Sequence, residues 1–114
     1  MARFMIQASY TPESWAAQLK SPEDRTKVIA PLLESLGARL ETLYYAFGPV
    51  DIVVIVEAPD NVTAAALALA VTASGAFRSF STTPLMTVDE GMAAMRKAAA
   101  AAPQYRAPGG AASV

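Results

Sequence analysis

Residues 48–61 read Gly-Pro-Val-Asp-Ile-Val-Val-Ile-Val-Glu-Ala-Pro-Asp-Asn, and this segment carries the clearest structural signal in the chain. Gly48-Pro49 is typical of a turn, because proline presets φ for a turn corner. Asp51 to Ala58 is predicted as a strand, and its apolar side chains from Ile52 to Val56 point to both faces. A strand that is apolar on both faces is expected in the centre of a sheet that is covered on both sides.

Local start and stop signals place the other elements on either side of this strand. Thr11-Pro12 and Asp60-Asn61 are typical helix starts, and Thr87-Val88-Asp89-Glu90 is a capping box. Gly37 and Gly75 are placed to end two helices. The predicted elements are a strand at 3–9, a helix at 12–20, a helix from the 21–24 start signal to about Leu36, strands at 38–47 and 51–58, a helix from Val62 to about Ser74, a strand at 76–83 and a helix between Thr87 and Pro103.

The order β-α(α)-β-β-α-β-α predicts an α+β fold of the ferredoxin-like, split βαβ kind. Such a fold has a four-stranded antiparallel sheet with its helices on one face, and here an extra C-terminal helix follows. Residues 1–102 are predicted to form this domain, and 103–114, which include Pro108-Gly109-Gly110, a disordered tail. The chain has 25 alanines, so we expect a small, tightly packed core with helices lying close to their neighbours.

The uncovered face of the sheet leads to a prediction about assembly. Since helices cover one face only, the apolar residues Val53 and Ile55 would be exposed in an isolated chain. We expect a second copy of the sheet to cover them, which predicts a homodimer, sheet facing sheet. The alternative is that the terminal helix folds back over this face.

Composition excludes several classes of function. The net charge is −1, which provides no basic surface for nucleic acid or anionic membranes. The chain has no Cys and no His, so thiolate and imidazole chemistry is excluded, and we expect no metal site and no cofactor. The longest apolar run, Ala64 to Val71, is far shorter than the roughly 20 residues of a membrane span. With no recognisable signal peptide, a cytoplasmic protein is expected.

Several segments together resemble the GYD-domain family over about residues 4 to 97. They are the opening Ile6-Gln7-Ala8-Ser9-Tyr10-Thr11-Pro12-Glu13, Leu36-Gly37-Ala38-Arg39-Leu40-Glu41, the long block from Tyr44 to Val56, Ala58-Pro59-Asp60-Asn61 and Thr82-Thr83-Pro84-Leu85. The Gly-x-Tyr-Asp motif of the family reads Gly48-Pro49-Val50-Asp51 here, so its tyrosine is replaced by valine. The resemblance implies the fold of the dimeric α+β barrels, which include cofactor-free monooxygenases, isomerases, dehydratases, haem enzymes and plain ligand binders. It assigns no activity.

Two residues are candidates for catalysis. Asp51 follows the turn and could act as a base or an anchor at the mouth of a cleft, or it could accept hydrogen bonds from turn N–H groups. Tyr44 and Tyr45 are adjacent, so they point to opposite faces of one strand, and Tyr45 is the candidate acid–base partner of Asp51. Either tyrosine could equally be a packing residue with a hydrogen-bonded hydroxyl.

A set of polar residues near the sheet is the candidate binding site. Gln7, Ser9, Thr42 and Thr82 are predicted to share the open face with Met5, as polar points on an apolar surface. Arg78 could bind a carboxylate or phosphate, or pair with Glu57 or Asp51 across the sheet. The candidate ligand-binding residues are Gln7, Ser9, Tyr10, Tyr44, Arg78 and Thr82.

Three functions remain open on the sequence. The first is a homo-oligomeric module that binds a small, mostly apolar metabolite. The second is a small cofactor-free enzyme, of monooxygenase or isomerase type, that uses Asp51 and a tyrosine. The third is a structural accessory protein with no ligand.

Overall fold

The computed structural model describes residues 1–110 and contains the predicted elements in the predicted order. These are β1 (Ala2–Tyr10), α1 (Pro12–Lys20), α2 (Thr26–Ser35), β2 (Arg39–Tyr45), β3 (Ile52–Ala58), α3 (Asn61–Thr72), β4 (Phe77–Leu85), α4 (Val88–Ala101) and a short 3-10 helix (Ala102–Gln104). All pairings are antiparallel in one sheet of order β2-β3-β1-β4. The α+β, ferredoxin-like fold is therefore confirmed. The last part of the predicted tail, 111–114, lies outside the described residues.

Three of the predicted helix starts are formed by the expected side chains, whereas α2 begins only at Thr26, later than the predicted start at 21–24. Thr11 Oγ1 accepts from Ser14 N at 3.2 Å, and Asp60 Oδ1 accepts from Thr63 N at 2.8 Å. At α4 the capping box is complete, since Thr87 Oγ1 accepts from Glu90 N and Glu90 accepts from Thr87 N. Each bond satisfies an N–H group that has no partner within its own helix.

Some boundaries differ from the sequence prediction. β2 is shorter than predicted, and α3 ends at Thr72 rather than near Ser74. β4 continues through Pro84, which pairs with Phe4. A proline fits there because β4 is an edge strand, and its missing N–H is not needed by a second neighbour.

Helices cover one face of the sheet and leave the other face open. Phe4, Ile6 and Ala8 of β1 lie beside Val56, Val54 and Ile52 of β3, and all six are buried on the helix side. The intervening residues form the open face, where Met5 lies beside Ile55 and Gln7 beside Val53. These four side chains are only half-buried.

The terminal helix does not cover the open face. α4 packs mainly against the 3-10 helix that follows it, and none of its residues is buried. The described chain is accordingly elongated, with a longest dimension of 59 Å. The alternative in which α4 folds back over the sheet is therefore wrong for the single chain. No helix within residues 1–110 has the length and apolar character needed to cross a membrane.

Candidate functional site

A largely apolar cavity of about 250 Å³ lies between the sheet and helices α2 and α3. Its floor comes from β1 and β3, including Ile6 and Val54, and its walls include Leu32 of α2 and Leu67 and Val71 of α3. Phe77 and Phe80 of β4 complete the apolar lining. Three polar residues also line the cavity, namely Tyr10, Arg25 and Ser74.

The cavity exists because the two helices sit over the outer strands. α2 packs on β2 and α3 mainly on β4, which leaves the central strands β1 and β3 between them. The residues that could fill the gap are short, with Ala8 on the floor and Ala70 on α3. The expectation of a tightly packed core is therefore wrong, because alanine side chains bring no volume to the centre of the layer.

Arg25 is the one charged residue in the lining of this cavity within the part of the chain that the structure describes. It immediately precedes α2, and its side chain is 27% exposed. Arg25 Nη1 donates to Glu23 Oε1 at 2.5 Å, while the Glu23 side chain is 56% exposed. Arg25 and Tyr10 also line an adjoining, more polar cleft of about 220 Å³. The two side chains thus stand at the boundary between the apolar cavity and a polar cleft.

Tyr10 is buried in an aromatic cluster at this boundary. Its ring stacks on Phe77 with centroids 4.7 Å apart and meets the Trp15 ring edge-on at 5.1 Å. Burial raises the pKa of the Tyr10 phenol above its ordinary value, and electrostatic repulsion from Tyr45 adds to this, while the Arg25 charge opposes it. The hydroxyl is therefore neutral at pH 7 and available as a hydrogen-bond donor.

Asp51 lies beside this cluster but does not line the cavity. Its Oδ2 accepts from Tyr10 N at 2.9 Å and from Trp15 Nε1 at 3.1 Å. Its backbone N donates to Ala8 O at 2.9 Å. The carboxylate thus joins the start of β3 to the end of β1 and to α1, and it positions the tyrosine.

The two adjacent tyrosines lie on opposite faces, as alternation predicts. Tyr45 pairs with Ile52 on the helix side and is 47% exposed beside Trp15 and Leu19. Tyr44 pairs with Val53 on the open face and is 66% exposed. The structure does not bring Tyr45 into the lining of the 250 Å³ cavity.

The other predicted binding residues are dispersed. Gln7 and Ser9 follow the open-face alternation of β1, and the Ser9 hydroxyl is buried without a hydrogen-bond partner in residues 1–110. Thr82 does not share that face: it pairs with Ile6, so it lies on the helix side, and this prediction is wrong. The register of pairing between β1 and β4 decides on which face of the sheet Thr82 lies, and a single sequence does not show that register.

Arg78 lies at an irregularity of the edge strand. Ser79 pairs with Ser9 and Phe77 with Tyr10, so Arg78 is the extra residue of a bulge and its side chain is exposed. Within residues 1–110 it forms no salt bridge, whereas Glu57 pairs with Arg3 and Arg39. Of the six predicted binding residues, the structure brings only Tyr10 to the cavity.

Sequence reasoning missed Arg25. One local signal was available. A cation just before a helix is repelled by the positive end of the helix dipole, so its presence there suggests a role other than helix stabilisation.

Within residues 1–110, no group of three or more His, Cys, Asp or Glu side chains is placed to hold a metal ion.

Comparison with known proteins identifies one family. The model of the GYD domain matches residues 4–95. No curated protein and no solved structure matches the chain significantly.

Proposed function

The chain belongs to the GYD-domain family, and from its cavity we propose that this member binds a small, mostly apolar molecule between the sheet and helices α2 and α3. The observation that carries the proposal is the apolar cavity of about 250 Å³ with polar groups at one side. Apolar walls with a few placed polar groups are typical of small-molecule sites. An apolar cavity of about 150 Å³ accommodates benzene, so this one is large enough for a substituted ring or a short alkyl chain.

Binding in this space has a measurable consequence for stability. A molecule that binds the folded chain and not the unfolded chain raises the free energy of unfolding, by about 2.7 kcal/mol at a concentration 100 times its Kd.

Ethylbenzene is a suitable probe for this proposal, since it is apolar and larger than benzene. We expect calorimetric titration to give one site per chain and the ligand to raise the melting temperature. Ala70→Phe places a ring at the cavity wall and is expected to weaken binding at least 10-fold. Ala65→Phe is the matched control on the same helix, outside the lining. Absence of binding, or equal binding by both variants, contradicts the proposal.

We also propose that the working form is a homodimer joined through the open face of the sheet. Met5, Val53 and Ile55 form an apolar centre on that face. Arg3 and Glu57 lie at one end of it, where Arg3 Nε also contacts Glu41 Oε2 at 2.9 Å. An apolar centre with a polar rim is the usual composition of a protein interface. Because α4 leaves the face uncovered, a second copy of the same sheet is the simplest complement.

A further inference from the structure

We infer that the molecule in the cavity is an amphipathic carboxylic acid, whose carboxylate binds Arg25 while its apolar body fills the space behind. This inference rests on the proposed function and names the ligand class. Arg25 contacts both the apolar cavity and the polar cleft beside it, so it lies where the head of such a molecule would be.

The charges around the cavity favour an anion. Among the described residues that line the cavity, 1–110, Arg25 is the only charged side chain, and no acid accompanies it there. The nearby carboxylate of Asp51 is already engaged by Tyr10 N and Trp15 Nε1. Beside a neutral ligand the half-buried guanidinium would keep Glu23, whose side chain is 56% exposed, as its carboxylate partner, whereas a ligand carboxylate would add a second partner on the cavity side.

Arg25 retains donors for such a ligand. Nη1 donates to Glu23, but Nε and Nη2 contact no carboxylate within residues 1–110. A guanidinium binds a carboxylate through two parallel N–H groups, which is the geometry left available here. Its bond to Glu23 is a partly exposed pair between near neighbours, and such pairs contribute little to stability. A ligand carboxylate can therefore join or displace Glu23.

The same region favours a carboxylate over a phosphate. The N–H groups at the start of α2 are already used, since Thr26 N donates to Asp24 Oδ1 and Lys27 N to Asp24 O. No second cation of the described residues lines the cavity. One guanidinium and one tyrosine hydroxyl match a single negative charge better than the two charges of a phosphate monoester.

The test compares 4-ethylbenzoate with its neutral isostere 4-ethylbenzamide by calorimetric titration at pH 7. We expect the wild-type chain to bind the benzoate about 10- to 100-fold more tightly, as hydrogen bonds to charged groups imply. Arg25→Met is expected to abolish this preference while ethylbenzene binding is retained. Glu23→Gln, which removes the competing carboxylate, is expected to strengthen benzoate binding.

The outcomes separate this inference from the proposed function. If ethylbenzene binds but benzoate and benzamide bind equally, the cavity is a binding site and the carboxylate assignment is wrong. A preference for benzoate that survives in Arg25→Met also overturns the assignment to Arg25. If none of the three probes binds, the proposed function itself fails. Circular dichroism of each variant establishes that it is folded.

Discussion

Asp51 illustrates how one side chain can organise a site without lining it. Its Oδ2 receives the N–H of Tyr10 and the indole N–H of Trp15. Replacing Asp51 with Ala leaves both half-buried donors without an acceptor, and we expect a loss of about 2–4 kcal/mol in the free energy of unfolding. Asp51→Asn retains an acceptor oxygen and is expected to lose less. Urea denaturation measures both, and an Ala variant as stable as wild type would contradict this role.

Asp51→Asn also bears on the enzymatic alternative. A binder should keep its affinity for ethylbenzene within a few-fold in this variant, since the carboxylate lies outside the lining. An enzyme that used Asp51 as its base would lose turnover. The geometry assigns the carboxylate two hydrogen bonds that hold Tyr10 and Trp15 in place, and this favours the binding function.

Tyr10 gives a prediction in the alkaline range. Its pKa is raised by burial, so the folded chain keeps a proton that the unfolded chain loses near pH 10. Its contribution to stability is therefore complete below pH 10 and is lost as pH rises toward its folded pKa. We expect the free energy of unfolding to decline above pH 10 and Tyr10→Phe to reduce that decline. An unchanged decline in Tyr10→Phe would show that other groups cause it.

At the scale of the elements, the helix caps give an acid-range prediction. Hydrogen bonds from Thr63 lower the pKa of Asp60, and those from Thr87 lower the pKa of Glu90. Their contributions are present above the ordinary carboxyl pKa near 4 and are lost as pH falls through the lowered values. Asn caps a helix about as well as Asp. Asp60→Asn should therefore melt like wild type at pH 7 and lose less stability on acidification, and a thermal melt series measures both.

The elements also indicate what the sequence could and could not predict. Caps at Thr11, Asp60 and Thr87 depend on residues within one turn, so local patterns located them. The face of the sheet on which Thr82 lies, and the bulge at Arg78, both depend on how β4 pairs with β1, about 70 residues away in sequence. Local sequence patterns do not encode that pairing register. The cavity and Arg25 depend on how two helices share one sheet, which is a property of packing between distant elements.

At the scale of the whole molecule, the open face of the sheet leaves the apolar side chains of Met5, Val53 and Ile55 partly exposed to solvent. Ile55 lies beside Met5 on this face, so a lysine there would place a charge in the proposed interface. We expect wild type to sediment as a dimer and Ile55→Lys as a monomer. Val62→Lys is the control, because Val62 is 79% exposed on α3 and away from this face. A dimer that persists in Ile55→Lys would place the interface elsewhere.

The location of a bound ligand is the sharpest test of the proposed cavity site, because the cavity and the apolar open face lie on opposite sides of one sheet. Val54 lines the helix-side cavity, and its neighbour Val53 belongs to the open face. The measurement is the set of intermolecular nuclear Overhauser effects from ethylbenzene to assigned methyl groups of the protein. We predict contacts to Val54, Leu67 and Val71 and none to Val53 or Ile55. Contacts confined to Val53 and Ile55 would contradict the proposed function, since the ligand would then occupy the open face and the cavity would not be the site.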